Sequence, residues 1–126
     1  MNISLEKNNL YRAIGELAYV IARSDSLLTQ LEKTVFREAV KEELGEEGWA
    51  TIDRFEYLDH NNQKPTLDQS YNRAIYTFRQ NRQALSPDLA ERFVSLLEKV
   101  GGVSGITDRE TLVIEQFQAD LSKILE

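Results

Sequence analysis

Apolar residues recur through most of the chain at the three-and-four spacing of helices. Leu10, Ile14, Leu17 and Ile21 follow one another at intervals of four, three and four, with Ala13 and Ala18 widening the stripe, and predict a helix from about Ser4 or Asn8 to Ser24. Its other side carries Tyr11, Gly15, Tyr19 and Ala22, so few faces are left for solvent. Gly15 costs about 1 kcal/mol relative to alanine inside a helix; it is read either as a close backbone approach or as a tolerated glycine. Leu31, Val35, Phe36, Ala39 and Val40 predict a second helix ending near Leu44-Gly45, where glycine can take a positive φ. A third is expected from about Glu47 to Leu58 or beyond, on Trp49, Ile52, Phe55, Tyr57 and Leu58, with Trp49 as a core anchor. After the polar loop Asn61-Asn62-Gln63-Lys64-Pro65, a fourth uses Tyr71, Ala74, Ile75, Phe78 and Leu85. The fifth opens with Ser86 as N-cap and Pro87 at the first helical position, and carries Leu89, Phe93, Leu96, Leu97 and Val100 up to an expected stop at Gly101-Gly102. Leu112, Val113, Ile114, Phe117, Leu121, Ile124 and Leu125 complete the last helix. Strand alternation is missing, so the pattern predicts an all-α fold: a compact bundle of six to seven helices in a single domain, 1-126.

Two helix connections share a pattern. In Ser24-Asp25-Ser26-Leu27-Leu28-Thr29-Gln30-Leu31-Glu32, and in a degraded copy running from Gly102 to Glu110, a Thr is followed three residues later by a Glu. That is the spacing of a capping box, in which the Thr hydroxyl accepts from the N3 amide and the Glu reaches back to the amide of the Thr. Thr66 and Gln69 repeat the device at the start of the fourth helix. Superposing Glu32 on Glu110 also aligns Thr29 with Thr107, Leu28 with Ile106 and Val35 with Val113, which suggests a duplicated helix hairpin.

Composition narrows the function classes. The chain has 126 residues, 41% hydrophobic and 29% charged, enough for one folded domain with a continuous core. Fifteen basic against 21 acidic residues give a net charge of −6, which disfavours attraction to phosphate backbones, so no nucleic-acid partner is expected. Zero cysteines remove disulfides, thiolate metal sites and thiol catalysis. No window approaches the ~18 apolar residues of a membrane span, and the N-terminal residues lack the basic and apolar regions of a signal peptide. A cytoplasmic protein with no membrane partner is the expectation.

Catalytic constellations are sparse. The single histidine, His60, falls in a helix-to-loop position, and no Gly-x-Ser-x-Gly turn exists to expose a serine nucleophile. Gly101-Gly102-Val103-Ser104-Gly105 lacks the Lys-Ser/Thr ending of a phosphate loop and is read as a turn. Asp53, Glu56 and His60 share one side of the third helix, but without a second histidine they read as surface residues rather than metal ligands. No enzyme is expected. The best cation candidate is the first connection, where Asp25 and Glu32 offer oxygen ligands of the type calcium or magnesium prefers; Asp25 in an Asx-type turn is the structural alternative. Two charged patches are candidate interaction surfaces. Glu42, Glu43, Glu46 and Glu47 form an acidic corner that opposes the dipole of its helix, and Arg73, Arg79 and Arg82 form a basic face on the fourth helix. Each is also explained as a solvated surface. The expected partner is another protein, with a homodimer left open.

The run Ala18-Tyr19-Val20-Ile21-Ala22-Arg23-Ser24-Asp25-Ser26, followed by Leu28-Thr29 and Glu32, resembles the TerB-like (tellurite resistance protein B) family. In that family a helix ends in Ala-x-x-Asp-Gly, then an aliphatic, a Ser or Thr, and Glu. Val100-Gly101-Gly102-Val103 with Ile106-Thr107 and Glu110 looks like its second copy. Here Ser26 stands in place of the family's Gly, and Val103 in place of an acid. The resemblance implies a cytoplasmic all-helical domain of about seven helices in two related halves, with acidic residues proposed to bind cations. Related domains occur in stress-response systems and at the N-terminus of DnaJ-like co-chaperones.

Overall fold

The computed structural model describes residues 4–23, 28–61, 64–104 and 108–126. They are all-helical, with no strand among them: α1 (Leu5–Ala22), α2 (Gln30–Leu44), α3 (Trp49–His60), α4 (Leu67–Gln80), α5 (Pro87–Ser104) and α6 (Asp108–Leu125). Short 3-10 turns at Gly45–Gly48 and Arg82–Ala84 lead into α3 and out of α4.

The starts of these helices follow from local chemistry. The Ser4 hydroxyl accepts from the Lys7 amide at 3.1 Å, and Ser86 accepts from Leu89 at 3.0 Å. Both complete capping boxes form, Thr29 with Glu32 and Thr66 with Gln69. Gly45 has φ 67°, a conformation that only glycine adopts without strain, and it ends α2 where the sequence placed the stop.

α1 is the central element, packed against α3, α4 and α5, while α5 also carries α2 and α6. From Ile14 to Ala22 every residue of α1 is buried. Aromatic rings extend from it in two directions. Tyr11 meets Phe93 edge-on at 5.7 Å, and Phe93, Phe78 and Phe117 continue the chain of rings into α4 and α6. On the other side Tyr19 meets Phe55 at 5.5 Å, and Phe55 stacks on Phe36 of α2 at 3.7 Å. Burying each such ring is worth about 2–3 kcal/mol. The Tyr71 hydroxyl of α4 donates to Asp120 of α6 and ties the outer helix in place.

The crossing of α1 and α3 is unusually close. A Cβ at Gly15 would lie 2.5 Å from the Thr51 carbonyl oxygen, so the glycine is where the backbone of α3 approaches. The buried Thr51 hydroxyl donates to the Tyr11 carbonyl at 2.8 Å and fixes the register of the two helices.

Three expectations are corrected. Trp49 is 51% exposed rather than a core anchor, because the buried stripe of α3 runs through Thr51, Phe55 and Leu58 and Trp49 lies about 200° around the helix from Thr51. Leu31 and Leu112 are exposed for the same reason, each falling outside the buried stripe of its own helix. Gly101 and Gly102 do not stop the fifth helix, which continues through them to Ser104. Gly101 is buried there, and packing of Val100 and its neighbours outweighs a propensity cost of about 1 kcal/mol per glycine. Gly102, Val103 and Ser104 therefore belong to a helix and not to a glycine-rich turn. Ser24 to Leu27 and Gly105 to Thr107 lie outside the described residues, and with them the middle of both connections.

Candidate functional site

The Gly15–Thr51 crossing brings together the residues that follow it. Glu16 is next along α1, and Arg54 is one turn beyond Thr51 on α3. Glu16 is only 8% exposed, an unusual position for a carboxylate, and it is fully engaged. One oxygen accepts from Arg54 at 3.0 Å. The other accepts from Arg73 Nε at 2.9 Å, from the second nitrogen of the same guanidinium, and from the Ser70 hydroxyl at 3.2 Å. Burial pushes the Glu16 carboxyl up, but hydrogen bonds from Arg54 and Arg73 and their charges outweigh it and hold the group below its ordinary range. It is a fixed anion joining α1, α3 and α4.

This node forms the wall of a groove of about 290 Å³ between α1 and α4. Two helical stripes face each other across it. α1 contributes Asn9, Arg12, Ala13 and Glu16; α4 contributes Ser70, Arg73, Ala74 and Thr77, with Tyr76 and Gln80 at the rim. Asn9 Nδ2 donates to Asn81 Oδ1 at 3.2 Å, and Asn81 donates in turn to the Thr77 carbonyl, closing the far end. Arg12 is exposed and has no ion pair among the described residues. Arg54 rests on the Tyr57 ring, 5.3 Å from its centroid, which fixes its plane. Three guanidiniums and one carboxylate line the groove, leaving two positive charges in a chain whose net charge is −6. Glu16, Arg54 and Arg73 also border a second cavity of about 420 Å³, together with Lys64 and Gln69.

The arginine face expected from the sequence is thus divided. Arg73 turns into the groove; Arg79 and Arg82 do not line it, because six residues of helix place Arg79 about 240° from Arg73 and Arg82 lies in the 3-10 turn. The acidic corner is divided as well. Lys99 of α5 reaches Glu42 at 2.7 Å and Glu43 at 3.1 Å, and Lys7 of α1 reaches Glu47 at 2.7 Å. Glu47 also accepts from the Tyr11 hydroxyl at 3.2 Å. The Lys7 hydrogen bond holds the Glu47 carboxyl below its ordinary range. Glu46 alone of the four is exposed without an ion pair among the described residues.

Of the cation candidates, Asp25 lies outside the described residues. Glu32 serves its capping box, Oε1 accepting from the Thr29 amide at 2.8 Å. Among the described residues no group of three or more His, Asp or Glu side chains is placed to hold a metal ion. Asp53, Glu56 and His60 do share a groove, about 850 Å³ between α2 and α3, above the stacked Phe36 and Phe55. Two of its three acids are paired across it, Asp59 with Lys33 at 2.9 Å and Glu56 with Arg37, while Asp53 is exposed with no ion pair among the described residues.

Sequence reasoning missed Glu16, Arg12 and Arg54. The available signal was Glu16 itself, the one charged residue between Ala13 and Ala22 of a helix with almost no solvent face. No family model, characterised protein or solved structure matches the chain. No helix among the described residues is long and apolar enough to cross a membrane.

Proposed function

We propose that this is a non-enzymatic, all-helical interaction domain that receives an acidic segment of a protein partner in the α1–α4 groove through Arg12, Arg54 and Arg73. The observation that carries the reading is Glu16. A single buried carboxylate draws two arginines from separate helices to one point, which fixes their positions but neutralises only one of the three guanidiniums around it. Arginine is suited to this role because its planar fork binds carboxylate and phosphate oxygens in pairs. Preordered arginines lose less side-chain entropy when a partner arrives. The TerB-like resemblance adds a stress-associated setting and a duplicated hairpin to this picture, and the all-helical architecture agrees with it at the level of fold class. Its cation site has less support, since Glu32 is engaged in its own helix cap.

The test is fluorescence anisotropy of a labelled glutamate-rich decapeptide. Saturable binding that weakens with added salt and falls about tenfold in Arg12→Glu supports the proposal; tenfold corresponds to about 1.4 kcal/mol. Equal binding by wild type and Arg12→Glu overturns it. Arg12 is exposed and makes no ion pair among the described residues, so this substitution removes no intramolecular ion pair among them.

A further inference from the structure

Resting on the docking role just proposed, we infer that the anion the groove selects is a phosphate monoester carried on a side chain of the partner, in preference to a carboxylate. Charge is the first argument. Arg12, Arg54 and Arg73 against Glu16 leave two positive charges, and a phosphorylated side chain brings about −1.5 to −2 at neutral pH where Asp or Glu brings −1. Only the phosphate brings the groove close to neutrality.

Directionality is the second. The three guanidiniums come from α1, α3 and α4, so they reach the groove from different sides. The acceptor sites of a carboxylate lie in one plane, whereas a phosphate monoester presents three acceptor oxygens arranged tetrahedrally and takes donors from several directions. Glu16 takes one nitrogen of Arg54 and the Nε edge of Arg73. Since each guanidinium carries five N–H donors, both keep donors for a second anion, and Arg12 makes no ion pair among the described residues. Size is the third. At about 290 Å³ the groove sits at the small end of ligand sites, roughly 300–1,000 Å³. It accommodates one anionic group with its linking atoms.

The experiment is an NMR titration of the isotope-labelled full chain at constant ionic strength, following the arginine Nε–H signals and the amides of residues 9–16 and 70–81. Three probes are compared: an end-capped Gly-phosphoserine-Gly peptide, the same peptide with glutamate in place of phosphoserine, and inorganic phosphate. The expected result is saturable groove shifts with the phosphopeptide, at least about tenfold tighter than the glutamate peptide and tighter than inorganic phosphate, reduced about tenfold in Arg12→Gln. Equal affinity for the phosphoserine and glutamate peptides overturns the phosphate preference and leaves the acidic-docking role standing. Inorganic phosphate binding as tightly as the phosphopeptide overturns the partner-borne source. No groove shift with any probe overturns both the preference and the docking role.

Discussion

The acidic corner at the end of α2 and the groove beside Glu16 are both clusters of like charge, and the fold treats them in opposite ways. At the corner, Lys99 of α5 is shared by Glu42 and Glu43, Lys7 of α1 pairs with Glu47, and Glu46 has no ion pair among the described residues. At the groove, one carboxylate is buried and shared by two arginines while Arg12 stands beside them unpaired among the described residues. Clustered charge becomes a site when a buried counter-charge holds it in fixed positions around a cavity. Where the counter-charges are surface lysines, as at the corner, the cluster is only surface.

Substitutions can break that contrast. The largest effect is expected from Glu16→Ala, which removes the buried carboxylate shared by Arg54, Arg73 and Ser70; both arginines keep access to water, so the loss is that of charge-assisted hydrogen bonds and packing, about 2–3 kcal/mol, read as a lower urea midpoint. Gly15→Ala should follow at about 2 kcal/mol, because its Cβ would meet the Thr51 carbonyl at 2.5 Å and force α1 and α3 apart. It should also move the Arg54 signals, since Arg54 reaches Glu16 through that crossing. Acid sharpens the comparison further. The Glu16 carboxyl is held below its unfolded value near 4.5, so its contribution is complete above that value and is lost as pH falls through the lower folded one. Denaturation midpoints between about pH 5 and pH 3 should therefore fall more steeply in wild type than in Glu16→Gln. Glu47→Gln should flatten the slope less, its lowered carboxyl being at the surface. The smallest effect is expected from Lys7→Ala, about 0.5 kcal/mol for a half-buried pair at the surface and further reduced by salt. A Lys7→Ala loss matching that of Glu16→Ala would erase the distinction between the two regions.

Much of this architecture was legible in the sequence because it is periodic or local. Leu10, Ile14, Leu17 and Ile21 are all buried, as their spacing requires, and the Thr29–Glu32 and Thr66–Gln69 boxes close within four residues of chain. Gly15 as a close approach was one of two readings, and only the position of Thr51, 36 residues later, decides between them. Trp49 and Gly101 misled because size and propensity say nothing about the phase of a helix or the packing around it. The groove was the least legible part. Glu16, Arg54 and Arg73 lie on three different helices, and their meeting depends on a tertiary crossing that no spacing rule encodes. Arg73 was singled out with Arg79 and Arg82 for nearness in sequence, whereas its true neighbours are 57 residues away at Glu16 and three away at Ser70.

The burial of α1 also has a kinetic meaning. From Ile14 to Ala22 this helix has no face on water, and its amides can exchange with solvent only when the packing of α3, α4 and α5 around it is undone. Their hydrogen-exchange rates should report global unfolding, the slowest class in the molecule. Glu16 lies within that stretch, so the anion that orders the groove sits on the part of the chain least able to move. Adjustment to an arriving partner must come from the α4 wall and the rim residues, on the short timescale of side-chain rotation, while the floor keeps its geometry for the lifetime of the native state.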